Sequence, residues 1–141
     1  MKFSANLTML FNEYNFIDRF EKARINNFKA VEYLFPYEYN PNELKKILDD
    51  NKLTQVLHNL PAGDWEKGDR GIACNPEKVD EFKEGVTTAI EYAKTLECTQ
   101  LNCLIGIPDK KFSLSEINST VIENLKFASN QLKNANIKLL I

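Results

Sequence analysis

The sequence predicts an α/β fold in which parallel strands alternate with helices. Five short segments rich in strand-forming residues alternate with four segments whose apolar residues recur every three or four positions. Strands that alternate with helices pair in parallel through right-handed crossovers. The length of 141 residues predicts a single domain, residues 1–141. The order β-α-β-α-β-α-β-α-β leaves two architectures, an open doubly wound sheet or part of a (β/α)8 barrel.

The predicted strands are short, and two of them end at residues that interrupt strands. They comprise residues 2–6, 30–35, 53–59, 100–105 and 137–141. Pro36 follows the second strand and Gly106 follows the fourth, as expected because both residue types are disfavoured inside a strand. The fifth strand is an uncharged apolar run after Lys138.

Each predicted helix begins at a side chain that can cap it. The four capping pairs are Asn15 with Asp18, Asn40 with Glu43, Asn75 with Pro76, and Ser113 with Glu116. Proline follows the second and third capping residues, and its fixed φ suits the first helical position. The last helix then shows apolar spacings of three and four residues from Ile117 to Leu132.

Glycine placement and length favour the partial barrel. A dinucleotide-binding sheet carries a glycine-rich turn after its first strand, but residues 6–16 contain no glycine. A complete barrel needs about 250 residues. This chain provides about four βα units plus a fifth strand, so the prediction is a partial (β/α)8 TIM barrel.

Composition limits the classes of function. With 18 basic and 20 acidic side chains, the net charge of −2 argues against a dedicated nucleic-acid-binding surface. No apolar run approaches the roughly 18 residues of a membrane span, and the N-terminus lacks a signal-peptide core, so we expect a cytoplasmic protein. Three cysteines without a CxxC pair predict free thiols, and a single histidine disfavours a zinc site.

Candidate functional residues follow the strands, because parallel α/β folds place their chemistry at the carboxyl ends of strands. The residues in those positions are Asn6, Glu32, His58, Asn59 and the segment 102–106. Glu32 fits either an acid, base or hydrogen-bond acceptor, or a structural ion pair. His58 fits either a titrating group or a buried structural histidine. The aromatic segment 35–39 fits either the wall of a small-molecule pocket or packing against the next helix.

The long loop of residues 60–75 is a further candidate, because loops of this length are often functional. Lys67 and Arg70 lie between glycines and could bind a carboxylate, arginine through two parallel hydrogen bonds. The alternative is a solvated charged turn anchored by Trp65.

Four segments of the chain resemble the hydroxypyruvate isomerase family of xylose-isomerase-like barrels. Residues 31–37, VEYLFPY, resemble its "VEFLFPY" segment, and residues 59–71 are similar to its "N-x-P-x-G-D…G-x-x-G" loop. Residues 3–7 and 89–93 resemble its first strand and third helix. The likeness runs along the whole chain but covers only the N-terminal half of a family member. Asn102 departs from the family, which often has histidine there.

The resemblance implies an isomerase that interconverts hydroxypyruvate and tartronate semialdehyde through an enediolate. It implies a divalent metal, Mg²⁺ or Mn²⁺, in the full-length enzyme, and catalytic glutamates and metal ligands beyond Ile141, so no metal site is expected within this chain. Carried onto this sequence, it implies substrate-binding residues at Asn6, Glu32, Asn59, Asp64 and Arg70. Its partner would be a small hydroxy-oxo acid.

Two alternatives remain open. One is a sugar isomerase or epimerase of the same superfamily, which would not need a cationic Arg70. The other is an inactive, truncated barrel fragment that self-associates through its first and fifth strands, since half a barrel has two sheet edges. A zinc endonuclease on the same barrel is disfavoured by the single histidine.

Overall fold

Five parallel strands form one sheet in chain order in the computed structural model, which describes all 141 residues. The strands are β1 (Ser4–Asn6), β2 (Ala30–Glu32), β3 (Thr54–Asn59), β4 (Gln100–Asn102) and β5 (Lys138–Leu140). The helices between them are α1 (Asp18–Ile25), α2 (Pro41–Asp50), α3 (Val79–Thr95) and α4 (Leu114–Asn134), with a 3₁₀ turn at Pro76–Lys78 before α3. A doubly wound sheet reverses its strand order at a switch point, whereas β1-β2-β3-β4-β5 is the order of a (β/α)8 barrel. The structure therefore confirms the partial barrel.

The hydrophobic core lies between the helices and one face of the sheet. Ala5, Val31 and Leu101 are fully buried at the centres of their strands. Each helix contributes fully buried side chains against this face: Phe20, Leu44, Val86 and Leu132. Residues one position further along β1, β2 and β4 are only half-buried and polar. Because side chains alternate along a strand, these polar residues lie on the concave face.

Three of the four predicted helix caps are confirmed. Asn40 accepts a hydrogen bond from the backbone N–H of Asn42, and Asn75 accepts one from Glu77. Ser113 and Glu116 form a complete capping box, in which each side chain bonds the other residue's backbone N–H. The three cysteines are free and buried, as predicted.

Other local predictions were wrong in detail. Asn15 does not cap α1, because its backbone carbonyl accepts from the N–H of Asp18 in a turn before the helix begins. Glu43 makes no return bond to Asn40. The second and fourth strands end three residues earlier than predicted. The amide of Leu34 bonds the Thr8 hydroxyl at 3.0 Å instead of continuing a ladder.

The edges of the sheet support the expectation of self-association, which remains a prediction. Strands β1 and β5 each pair on one side only. A hollow of about 780 Å³ opens near the amino ends of β1, β2 and β3 and is lined in part by Met1, Phe3, Phe28 and Val56. Burying a few hundred Å² of such surface gives several kcal/mol at roughly 25 cal/mol per Å².

We expect a polypeptide of these 141 residues to sediment as a dimer or larger species at micromolar concentration. A monodisperse monomer in sedimentation velocity would contradict this.

Candidate active site at the carboxyl ends of the strands

Four polar residues form a row along the rim of the concave face. Asn6, Glu32, Asn59 and Asn102 are the last residues of β1, β2, β3 and β4. Asn6 pairs in register with Glu32, and Asn59 pairs with Asn102, so each pair shares one face of the sheet. The sequence predicted three of these residues as a substrate-binding set, and the structure brings all four to one edge.

Glu32 is held by two neutral donors. The Ser4 hydroxyl donates to its Oε2 at 3.1 Å, and the Asn6 Nδ2 donates to its Oε1 at 3.2 Å. The Asn6 Oδ1 itself accepts a hydrogen bond from the backbone N–H of Thr8 at 3.0 Å, which fixes the orientation of the side-chain amide. Glu32 makes no ion pair, so the structural ion pair considered from the sequence is absent. Its carboxylate is an oriented hydrogen-bond acceptor at the rim.

Asn59 is the most enclosed member of the row, at 4% exposure. Its backbone is fixed on both sides, since its N–H donates to the carbonyl of Leu34 at 2.9 Å and its carbonyl accepts from the Tyr37 hydroxyl at 2.5 Å. The Asn102 Nδ2 donates to the Asn59 side-chain oxygen at 3.0 Å. The Asn59 Nδ2 has no partner. The site therefore contains a buried, unused hydrogen-bond donor.

His58 lies on the opposite side of the sheet from this row. It is fully buried, its Nδ1 lies 2.9 Å from the Nε2 of Gln55, and its ring centroid lies 6.0 Å from that of Tyr37. Gln55 also accepts a hydrogen bond from the Tyr33 hydroxyl. Burial lowers the pKa of His58 to about 4, and the backbone of Ala89 offsets this lowering only in part. These contacts support the structural histidine rather than a substrate contact.

Stability should fall in acid because of His58. Its folded pKa of about 4 lies below the unfolded value near 6.5, so protonation favours the unfolded chain. The resulting loss in the free energy of unfolding is absent above pH 6.5 and grows as the pH falls towards 4, reaching about 2 kcal/mol at pH 5. Urea denaturation at pH 7 and pH 5 measures it. In His58→Gln the free energy of unfolding should fall less between pH 7 and pH 5 than in the parent. An equal fall in the variant and the parent would contradict the prediction.

The long loop of residues 60–75 is fastened to the end of β4 and to α4. Gly71 forms an antiparallel bridge with Ile105, and the N–H of Cys74 donates to the Ile105 carbonyl at 2.9 Å. Asn124 of α4 donates from its Nδ2 to the Ala73 carbonyl at 3.0 Å. The loop is thus fixed over the carboxyl ends of the strands.

Asp64 and Lys67 form an ion pair with each other within this loop. Their charged groups lie 2.7 Å apart, and the Asp64 carboxylate also accepts from the Lys67 N–H at 3.1 Å. The Lys67 side chain lowers the pKa of Asp64 below its usual range. Asp69 bonds the Asp64 N–H at 2.8 Å and forms an ion pair with Lys78 at 2.6 Å. The contacts of Asp64 and Lys67 support a role in holding the turn.

Arg70 presents one edge of its guanidinium to solvent. Its Nη1 donates to the carbonyls of Trp65 at 2.9 Å and Asp69 at 2.7 Å. The guanidinium lies 4.1 Å from the centroid of the Trp65 ring, which in turn packs edge-on against Phe35 at 5.2 Å. The Nε and Nη2 atoms make no hydrogen bond within the chain. Arg70 is therefore oriented by the loop while keeping two donors free for an anion.

The aromatic segment 35–39 lines a cleft and also packs against Phe16 and against Tyr92 of α3. Phe35 and Tyr37 line a cleft of about 420 Å³ between this segment and the long loop. Tyr39 packs inward, with its ring 4.9 Å from that of Phe16 and its carbonyl bonded by the Tyr92 hydroxyl at 2.9 Å.

The chain has no group of three or more histidine, cysteine, aspartate or glutamate side chains arranged to hold a metal ion. No helix combines the length and apolarity needed to cross a membrane.

Comparison with known proteins decides the family. The family model described as xylose isomerase-like TIM barrel matches residues 20–141. The chain belongs to the xylose isomerase-like TIM barrel family. As a member, it is 52% identical over 141 residues to hydroxypyruvate isomerase from Escherichia coli, covering all of this chain and 55% of that protein. It is 42% identical over 138 residues to 2-oxo-tetronate isomerase from Haemophilus influenzae, and the match covers 98% of this chain and 54% of that protein.

Solved structures of other proteins contain the same half-barrel arrangement of strands and helices. A crystal structure titled AP endonuclease, family 2 from Brucella melitensis matches with a TM-score of 0.94 at 37% identity, covering 98% of this chain and 53% of that one. The structure of D-psicose 3-epimerase from Clostridium cellulolyticum matches with a TM-score of 0.72 at 16% identity, covering 99% of this chain and 51% of that one. At this identity the match shows a shared fold alone. The chain spans about half the length of the curated relatives it matches.

Sequence reasoning missed one contributor to the site and assigned no role to another. Ser4 was read only as part of a strand, although its hydroxyl holds Glu32. Asn102 was among the strand-end candidates but received no role, although its amide holds Asn59. The signal available for Asn102 was its position, because asparagine ends both the third and the fourth strand and neighbouring parallel strands end at the same edge.

Proposed function

We propose that this chain forms the N-terminal half of an isomerase that interconverts hydroxypyruvate and tartronate semialdehyde. In this reaction a proton moves between adjacent carbons and the oxo group exchanges position with the hydroxyl group. Several relatives that match all or nearly all of the chain are named hydroxypyruvate isomerases or 2-oxo-tetronate isomerases, and both names denote isomerases of small oxygenated acids. The observation that carries the proposal is the free guanidinium edge of Arg70, on a loop that is fastened to the chain just after β4.

The arrangement suits a substrate that carries both a carboxylate and hydroxyl or oxo oxygens. Arg70 can donate two parallel hydrogen bonds to a carboxylate from its Nε and Nη2. Glu32 can accept from a substrate hydroxyl, and Asn59 can donate to an oxo oxygen. A neutral sugar has no group that requires Arg70, which is why we favour the acid over the sugar isomerase or epimerase considered from the sequence.

The metal and the acid–base groups would come from outside these residues. Glu32 and the other acidic side chains form no three-residue cluster, so the side chains present do not by themselves fit a divalent cation. We therefore assign no step of the reaction to a metal held by this chain. The role of residues 1–141 is to bind and orient the acid.

A chimera tests the proposal. This chain would replace the matched N-terminal part of the E. coli hydroxypyruvate isomerase, whose own C-terminal part completes the barrel. We expect the chimera to convert hydroxypyruvate, measured by proton NMR, and the 141-residue polypeptide alone to show no turnover with added Mg²⁺ or Mn²⁺. The unaltered E. coli enzyme and a heat-inactivated chimera are the controls.

The outcomes separate the candidate functions. A folded chimera that is inactive on hydroxypyruvate but active on a neutral ketose would favour the sugar isomerase. A folded chimera without activity on either would contradict an isomerase role, and turnover by the 141-residue polypeptide alone would contradict the dependence on a second half.

A further inference from the structure

The unpartnered Nδ2 of Asn59 is the feature of the rim that the contacts within the chain leave unexplained. Asn59 is 4% exposed, and burying an amide donor without a hydrogen bond destabilises the fold. Its other side-chain atom, Oδ1, is satisfied by Asn102. A buried donor at the edge where the strands end is an observation that points to a ligand acceptor.

We propose that Asn102 is a positioning residue that holds the Asn59 amide so that its Nδ2 donates to the substrate's oxo oxygen. The proposal rests on the function proposed above and adds a residue to which that function gave no role. An asparagine amide can present either its oxygen or its nitrogen, and only a neighbour decides which. Here the neighbour is the Asn102 Nδ2, 3.0 Å from the Asn59 Oδ1.

The surroundings leave Asn59 little freedom except at this amide. Its main chain is fixed by the carbonyl of Leu34 at 2.9 Å and the hydroxyl of Tyr37 at 2.5 Å. Asn102 pairs directly with it in the β3–β4 register, so the two amides are neighbours on the concave face. With its oxygen bound to Asn102, the Asn59 amide is left with its N–H groups for the substrate.

The rim then divides its work between one acceptor and one donor. Glu32 is fixed as an acceptor by Ser4 and Asn6, and Asn59 is fixed as a donor by Asn102. An acceptor and a donor on one rim suit a substrate that carries both a hydroxyl and an oxo group, since the hydroxyl donates and the oxo oxygen accepts. The oxo oxygen gains negative charge as the enediolate forms, so an oriented N–H should stabilise the transition state more than the ground state.

Two substitutions at one position test the inference in the chimera. Asn102→Asp replaces the donor with an acceptor, so the Asn59 amide should turn its Nδ2 to the new carboxylate and its oxygen to the substrate. We expect kcat to fall about 100-fold with KM changed less than about threefold, as when an oxyanion donor is lost. Asn102→His keeps an N–H that can donate to Asn59, and we expect kcat within about threefold of the parent.

Controls keep the role of Asn102 separate from folding and from the proposed function. Thermal unfolding of both variants checks that the barrel is intact, and Asn59→Ala should lower kcat at least as much as Asn102→Asp. If the parent chimera is active but Asn102→Asp keeps its kcat, or if Asn102→His loses as much as Asn102→Asp, the positioning role is wrong while the function stands. An inactive but folded parent chimera would overturn both.

Discussion

Replacing Gly71 with alanine should lower the free energy of unfolding by about 3–4 kcal/mol. Gly71 has a φ of +113°, a conformation that side chains with a Cβ disfavour. An added Cβ would also lie 2.1 Å from the carbonyl oxygen of Leu104 and 2.7 Å from the amide nitrogen of Gly106, and these backbone atoms cannot move aside cheaply. The bridge between the long loop and Ile105 would have to separate.

Gly68→Ala is the matched control for that prediction. Gly68 has a similar φ of +102°, but nothing lies within 4 Å of the position its Cβ would take. Its substitution should therefore cost only the backbone strain, about 1 kcal/mol. Urea denaturation of both variants in the chimera measures the difference. Equal losses would show that the close approach of the loop to the end of β4 does not limit stability.

Replacing Arg70 with alanine should raise the KM for hydroxypyruvate about 10- to 150-fold and change kcat little. Hydrogen bonds to a charged group are worth about 1.5–3 kcal/mol, and a carboxylate bound equally in the ground and transition states affects KM. The loop should stay folded, because its glycines, Asp69 and Asn124 hold it independently of Arg70. Steady-state kinetics of the chimera provide the measurement.

Two control variants show whether substrate binding depends on the planar pair of guanidinium donors of Arg70 or only on its positive charge. Arg70→Lys keeps the charge but loses the planar fork and its stacking on Trp65, so KM should remain raised. Lys67→Ala removes a neighbouring charge that is paired with Asp64, and it should change KM by less than about threefold. An unchanged KM in Arg70→Ala, or an equal rise in Lys67→Ala, would contradict carboxylate binding by Arg70.

Much of the fold was predictable because its signals are local. Proline after Asn40 and Asn75, and the Ser113–Glu116 box, specify helix starts through contacts between residues two or three apart. Alternation of strand and helix segments specifies parallel pairing. Asn15 failed as a cap although it resembles the others, because the backbone turn ahead of α1 decides where the helix begins.

The candidate site was predictable only in part. Asn6, Glu32 and Asn59 follow from their places at strand ends and from the family resemblance, and the structure gathers them with Asn102. The pairing of Asp64 with Lys67 and the stacking of Arg70 on Trp65 depend on the folded shape of the glycine-rich loop. The residue types do not reveal which of the two loop cations is paired and which keeps a free edge.

The sequence alone determined that asparagine and histidine stand side by side at the end of the third strand, but the tertiary structure decided which of them faces the site. Val31 pairs with Gln55, whereas Glu32 pairs with Leu57, so a bulge adds one residue to β3. Strict alternation from Gln55 would have placed His58 on the concave face and Asn59 among the helices. The bulge reverses this, burying His58 against Gln55 and placing Asn59 beside Asn102. Pairing between strands far apart in the chain creates that shift, and no local pattern records it.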